Sequence, residues 1–170
     1  MPTLADFCLV HVLAGRGIRC VAGAHSTREG QRDIRALMKV HRIRPDDRDS
    51  TVAQVVRTGR ATLRREIPAE IPGHARAGVI TALHRRLAPT SALVVPIAHD
   101  GKVIGALSLC YSHSGRAYAA RHVAAAERLA SLIARHLVPD TPLNTPLGSR
   151  GTARAATHGV SVRRRLPLSH

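Results

Sequence analysis

Aromatic side chains are nearly missing from this sequence, whose 170 residues include no Trp, one Phe and two Tyr. A core must therefore be assembled mainly from small aliphatic residues, which bury less area per side chain than aromatic ones do. The rings on which single-strand nucleic-acid binders stack bases are also scarce. Because 44% of the residues are hydrophobic, the chain can still build one core, and its length predicts a single domain.

Cysteines and long apolar runs are scarce as well. The three cysteines, Cys8, Cys20 and Cys110, form no CxxC pair, so we expect neither a disulfide framework nor a zinc site. No apolar run approaches the roughly 18 residues that span a bilayer, and the N-terminus lacks the pattern of a signal peptide. We therefore expect a reduced, cytoplasmic protein.

Acidic residues are outnumbered: 26 Lys and Arg stand against 11 Asp and Glu, for a net charge of +15. Positive charge attracts phosphate, which leaves open a polyanion-binding protein. Arg outnumbers Lys 24 to 2, however, as expected of a GC-rich coding bias, and the shortage of aromatics argues against nucleic acid as the main partner. The basic stripe Arg28, Arg32, Arg35, Lys39 and Arg42 is expected to be a solvated helix face.

The apolar periodicity predicts the element order β-β-α-α-β-α-β-β-α. Thr27 and Ser50 are predicted to cap helices, Gly59 to end one, and Asp100-Gly101 to form a tight hairpin turn. Pro96 predicts an edge position or a bulge in its strand. The predicted strands are 4–13, 18–24, 61–66, 91–98 and 102–111, and the predicted helices are 28–41, 51–57, 79–87 and 119–137.

Hairpins near both ends, with helices between and after them, predict an α+β fold: a mostly antiparallel sheet of five to six strands with helices on its faces. We place this domain at residues 1–138. Residues 139–170 contain several prolines and the cluster Arg163–Arg165, and their aliphatic residues are too sparse to offset the entropy of ordering. This tail is expected to be disordered.

Several of these segments, taken in order, resemble a GAF domain. The most specific are VVRTGR at 55–60 with the strand after it, and SALVVPI followed by GKVIGALSL at 91–109. The similarity covers about residues 4–137 and is closest to GAF domains that precede histidine kinase or protein phosphatase modules in bacterial signalling proteins. It implies a GAF-like, profilin-like sheet and a sensory domain without catalytic residues of its own.

The resemblance also implies a small-molecule cavity under the helices between the second and fourth strands. The signature residues of cyclic-nucleotide-binding members are missing, and Cys110 is only a loose match to the bilin attachment site, so the sequence does not identify a ligand or cofactor and the cofactor stays unknown. Ordinary core packing without any ligand remains the alternative for each candidate lining residue. These candidates are Val79, Ile80, Leu83, His84, Ser91, Leu93 and Val95.

The closing helix has apolar residues at alternating spacings of three and four, which predicts either core packing or the seam of a homodimer. The candidate dimer residues are Val123, Ala126, Ala130, Ile133 and Leu137. A histidine kinase or phosphatase is the expected signalling partner.

The enzyme alternative within this family is free methionine sulfoxide reductase, which uses cysteines in the loops beside its pocket. The segment 60–93 contains no cysteine, and the sequence holds no HExxH, GxSxG or P-loop pattern. We therefore expect no catalytic residues and no metal site.

Overall fold

The computed structural model describes residues 4–68 and 78–138. Their strands form one six-stranded antiparallel sheet in the order β3-β2-β1-β6-β5-β4. The strands are β1 Phe7–Ala14, β2 Gly17–His25, β3 Arg42–Ile43, β4 Thr62–Arg64, β5 Ser91–His99 and β6 Lys102–Tyr111. Because β1 pairs with β6, the two hairpins share one sheet, which confirms the predicted α+β fold.

The hairpin of β5 and β6 turns at Asp100 and Gly101, whose φ angles of 49° and 72° are those of a type I′ turn. Pro96 lies where β5 has no neighbour on one side, because β4 pairs only with Ala92–Val94. The register also shifts between Ile97 and Ala98, next to the proline. Both predicted reasons for tolerating Pro96 are therefore present.

Four helices complete the fold: α1 Arg28–Val40, α2 Thr51–Thr58, α3 Val79–Leu87 and α4 Val123–Leu137, the last preceded by a 3-10 turn at Ala120–His122. The Thr27 hydroxyl accepts from Gly30 N at 3.1 Å, and the Ser50 hydroxyl accepts from Ala53 N at 3.2 Å. Gly59 ends α2 in the left-handed conformation, with φ 65°. The predicted caps are confirmed.

The helices cover both faces of the sheet. Helix α4 packs on one face through Ala126, Ala130 and Ala134, against a cluster that includes Leu93 and Leu107. Helices α1, α2 and α3 pack on the opposite face, which we call the covered face, through two further apolar clusters. The fold is therefore a three-layer arrangement of helix, sheet and helices.

Two sequence expectations fall outside the described residues: the tail 139–170, and the part of the loop before α3 at 69–77. Within the described ranges no helix has the length and apolar character needed to cross a membrane. The short strand β3 was not predicted from the sequence; it pairs Ile43 with Ile18 and Arg42 with Arg19 at the edge of the sheet.

Candidate functional site

A groove of about 390 Å³ opens between the start of α1 and the end of α3, where β2 and β6 also end. This volume lies within the range of small-molecule pockets, which is roughly 300–1,000 Å³. The groove is lined by His25, Thr27, Glu29, Gly30, Asp33, Arg86, Leu87, Ala88, Thr90, Ser112 and His113.

Stacked rings form one wall of the groove. The ring of His25 stacks on Phe7 at 5.7 Å and on His113 at 5.8 Å. The His25 Nδ1 accepts from the backbone N of Thr27 at 3.0 Å, which leaves Nε2 to carry the proton of the neutral ring. Burial, followed by the neighbouring His113, lowers the pKa of His25, while Asp6 and Asp33 act in the opposite direction.

A carboxylate organises the turn that carries His113. The buried Asp6 accepts from the backbone N of Ser112 at 2.7 Å and of Ser114 at 3.0 Å. Burial raises the pKa of Asp6, but these hydrogen bonds and one from the Ser114 hydroxyl outweigh it, so the pKa lies below its usual value. The His113 Nε2 lies 4.0 Å from Asp6 Oδ1. The ionised carboxylate of Asp6 thus holds the backbone of this part of the groove wall in place.

An ion pair joins the two helices beside the groove. Arg86 on α3 donates to both carboxylate oxygens of Asp33 on α1, with N···O distances of 2.7 and 3.0 Å. The Arg86 side chain is 56% exposed and that of Asp33 only 14%. Because Arg86 contacts both oxygens of Asp33, the pair fixes the spacing of α1 and α3. Its contribution to the free energy of unfolding is small, since exposed ion pairs stabilise a fold little.

A second polar feature lies inside the covered face of the sheet. His11 on β1 is 1% exposed and Ser108 on β6 is 5% exposed. Neither ring nitrogen of His11 has a hydrogen-bond partner among the described residues. The Ser108 hydroxyl has none among them either. Polar groups buried in this way are usually hydrogen-bonded to protein or to internal water.

The environment keeps His11 uncharged. Burial, and then the nearby His41, lower the pKa of His11 to about 3. The two imidazole rings meet edge to face, with their centroids 5.5 Å apart, at the end of α1. A neutral imidazole presents one N–H donor and one lone-pair acceptor.

The predicted pocket residues are divided between the two faces of the sheet. On α3, Val79 is 59% exposed, Ile80 and Leu83 pack on the covered face, and His84 is half-buried. On β5, Ser91, Leu93 and Val95 point to the α4 face; Leu93 and Val95 belong to its apolar cluster. The Ser91 hydroxyl donates to Arg64 O and accepts from Tyr118 N. None of the seven lines the groove.

The predicted dimer residues pack inside the chain. Ala126 and Ala130 are buried against the sheet, and Val123, Ile133 and Leu137 pack partly buried around them. The large apolar side chain that α4 exposes is Leu132, at 54%.

The three thiols lie in apolar surroundings. Cys20 and Cys110 lie in the same apolar cluster of the covered face, and Cys8 packs against the opposite one. Burial raises the pKa of Cys20 to about 11 and that of Cys110 to about 12. Thiols of this kind stay protonated near neutral pH and are poor nucleophiles. Among the described residues there is also no group of three or more potential metal ligands.

Comparisons with known proteins agree on the fold. A family model described as GAF domain matches residues 1–138. Similar solved structures include the GAF-B domain of DevS from Mycobacterium smegmatis, with 21% identity, a TM-score of 0.53 and coverage of 79% of this chain and 82% of that one. The GAF domain of a phosphoenolpyruvate-protein phosphotransferase from Coxiella burnetii has 16% identity, a TM-score of 0.57 and coverage of 78% of this chain and 71% of that one.

An enzyme is also among the similar structures. The type II free methionine-R-sulfoxide reductase from Thermoplasma acidophilum has 16% identity, a TM-score of 0.50 and coverage of 76% of this chain and 75% of that one. No curated protein sequence matches this chain significantly. At these identities the structural likeness concerns the fold alone.

Proposed function

The chain belongs to the GAF domain family, and we propose that it is a regulatory domain of bacterial signal transduction that binds a small molecule in the groove between α1 and α3. The observation that carries this proposal is the groove itself, about 390 Å³ in volume and lined by hydrogen-bonding side chains. A cleft of this size with a few convergent polar groups is the expected form of a ligand site.

The construction of the groove supports a sensing role. Its walls come from the first turn of α1, the last turn of α3 and the segment after β6, which the Asp33–Arg86 pair and Asp6 hold together. A ligand that displaces Arg86 from Asp33 would change the spacing of α1 and α3. Binding would thereby be converted into a movement of the helices on the covered face.

We further propose that the chain acts through another protein and not through catalysis of its own. The raised pKa values of Cys20 and Cys110 support this, because a thiolate is what a sulfoxide reductase needs. A histidine kinase or phosphatase in the cytoplasm is the partner we propose, together with weak self-association through α4.

A thermal-shift measurement tests the groove. We expect the small-metabolite fraction of a bacterial lysate to raise the unfolding temperature of the wild-type chain. His113→Trp, which fills the groove with a larger ring, should abolish this rise. The matched control His136→Trp places the same ring on the exposed end of α4 and should leave it intact. Equal responses in all three proteins would contradict the proposal.

A second candidate function rests on a different observation. Four members of the basic stripe lie exposed on α1, and none of the ion pairs among the described residues involves Arg28, Arg32, Arg35 or Lys39. Like charges three or four residues apart destabilise a helix, and none of the ion pairs among the described residues offsets them. A polyanion would relieve this repulsion, so we keep polyanion binding as the alternative function.

A further inference from the structure

The start of α1 is tied to the end of β2 by a short set of hydrogen bonds. The His25 Nδ1 accepts from the backbone N of Thr27 at 3.0 Å, and the Thr27 hydroxyl caps α1 by accepting from Gly30 N. The Gln31 side chain accepts from the backbone N of His25 at 2.8 Å and donates to Gly23 O at 3.3 Å. The imidazole of His25 is thus part of the attachment of α1 to the sheet.

The bond between His25 and Thr27 depends on the protonation state of the ring. A neutral imidazole with its proton on Nε2 has a lone pair on Nδ1 that accepts the Thr27 N–H, whereas an imidazolium carries protons on both nitrogens. The Thr27 hydroxyl, 3.2 Å from Nδ1, can turn to accept from a charged ring. The backbone N–H can only donate, so protonation sets two donors against each other at 3.0 Å.

Packing keeps the ring of His25 from turning. The ring stacks on Phe7 and on His113, and it lies against the Cα of Gly30. A half turn would also place a ring carbon opposite Thr27 N, where Nδ1 now accepts. A charged ring is therefore accommodated by a movement of the start of α1 away from β2.

The charges around His25 act in both directions. The ionisable side chains that line the groove with it or act on its charge come from α1, from α3, from the segment before β1 and from the segment after β6: Glu29, Asp33, Arg86, Asp6 and His113. Burial, followed by His113, lowers the pKa of His25 below 6.5, although Asp6 and Asp33 oppose this. The positive end of the α1 dipole also disfavours a charged ring. Because release of α1 relieves these effects, acid favours the released state.

We propose that His25 is an acid-responsive switch: when its ring takes up a proton, the start of α1 separates from the end of β2 and the groove changes shape. His25, Thr27, Glu29 and Gly30 all line that groove, so a molecule held near neutral pH would be released in acid. As a control of ligand binding, the switch rests on the function proposed above. The separation of α1 itself is a property of the ligand-free protein.

Nuclear magnetic resonance of the ligand-free chain from pH 7 to 5 tests the switch. The ring ¹⁵N resonances of His25 report its protonation, and the backbone amides of Thr27 and Gly30 report the start of α1. We expect the ring to become charged below pH 6.5 and, in the same transition, hydrogen exchange of both amides to accelerate by roughly tenfold after correction for its intrinsic pH dependence. Amides in the middle of β6 should stay protected, which separates local release from global unfolding.

Two variants separate the hydrogen bond from the charge. An Asn side chain can accept from the backbone N two residues on, as His25 does, but it does not titrate. We therefore expect His25→Asn to keep the amides of Thr27 and Gly30 protected throughout the pH range.

The matched control is His113→Gln, which removes the neighbouring imidazole and leaves the bond between His25 and Thr27 in place. Because His113 lowers the pKa of His25, the transition should persist in this variant and move to higher pH.

Equal acceleration of exchange in the wild-type chain and in His25→Asn would overturn the proposal, because another group would then drive the opening. A His25 ring that becomes charged while the Thr27 and Gly30 amides stay protected would overturn it as well. This second result needs only the wild-type chain, so it decides even if His25→Asn does not fold. The pH transition is measured without ligand and the groove through the metabolite-induced thermal shift, so failure of one is distinguishable from failure of the other.

Discussion

The imidazole of His25 lies against the Cα of Gly30, so closely that a Cβ at position 30 would overlap the ring. The ring cannot easily move, because it stacks on Phe7 and His113. Gly30 is therefore required in the first turn of α1 by packing, although Gly is a poor helix former.

We predict that Gly30→Ala destabilises the protein by about 1–3 kcal/mol, the usual cost of overpacking. In a His25→Ala background the overlap is gone, and the same change should stabilise by up to about 1 kcal/mol through helix propensity. Urea unfolding of the four proteins measures both effects. Destabilisation of equal size in both backgrounds would contradict this explanation.

Asp6→Asn tests the carboxylate that holds the turn after β6. The charged oxygen accepts from two backbone N–H groups, and hydrogen bonds to a charged group each contribute roughly 1.5–3 kcal/mol. We expect a loss of that order at pH 7, measured by urea unfolding.

Because the pKa of Asp6 is lowered by folding, its contribution is present above the carboxyl's ordinary pKa and lost as the pH falls through the folded value. The deficit of the variant should therefore shrink in acid; a deficit that is independent of pH would contradict the role of the charge.

Burial of neutral His11 predicts a pH dependence of stability. Its pKa falls from 6.5 in the unfolded chain to about 3 in the fold, so the unfolded state binds more protons between these values. The free energy of unfolding should therefore decrease as the pH falls below 6.5, with a slope of about 1.4 kcal/mol per pH unit from this residue. His11→Phe should reduce the number of protons taken up on unfolding, which this slope measures, by about one. Urea unfolding from pH 7 to 4 measures the slope. An unchanged slope would mean that the ring is charged in the fold.

Charge reversal tests the polyanion alternative. We expect weak binding of a short DNA duplex that is largely lost between about 50 and 200 mM salt. The double variant Arg32→Glu with Arg35→Glu should weaken DNA binding further. The slope of log K against log salt should fall by the amount expected for about two lost phosphate contacts. The control, Arg128→Glu with Arg135→Glu on α4, changes the net charge equally. Equal effects of both pairs in fluorescence anisotropy would show that net charge, and not the α1 stripe, is responsible.

Self-association through α4 must use its exposed side, because the apolar seam is packed on the sheet. Leu132 lies on that side, four residues after Arg128 and three before Arg135, and these like charges oppose pairing. Sedimentation should show a monomer at micromolar concentration and a dimer at higher concentration, favoured by salt. Leu132→Ser should reduce the dimer, whereas Val79→Ser, at another exposed apolar site, should not. A strict monomer at every concentration would exclude this route of signalling.

Local chemistry accounts for the parts of the fold that the sequence could predict. Thr27 and Ser50 cap their helices and Asp100-Gly101 turns its hairpin because short-range hydrogen bonding and φ preferences decide these features. The two-residue strand β3 is too short to show any alternation, so only its pairing with β2 reveals it. The 3-10 turn before α4 likewise has no distinct sequence pattern.

The site was harder to predict because both faces of β5 are buried. Ser91, Ala92, Leu93, Val94 and Val95 are all buried, so no polar alternation shows which face meets which layer. The predicted pocket therefore combined Leu83 with Leu93, which lie on opposite faces. His11 and Ser108 are isolated polar residues within apolar strands, a signal present in the sequence. That they are neighbours on the covered face follows only from the register of β1 and β6.

Native mass spectrometry of the purified wild-type chain tests the central claim, that this GAF domain holds a small molecule, most directly. We predict that a fraction of the protein carries an added mass of a few hundred daltons, which is lost on denaturation and is absent from His113→Trp but present in His136→Trp. A spectrum that shows only the mass of the bare chain, unchanged after incubation with the metabolite fraction, would contradict the account.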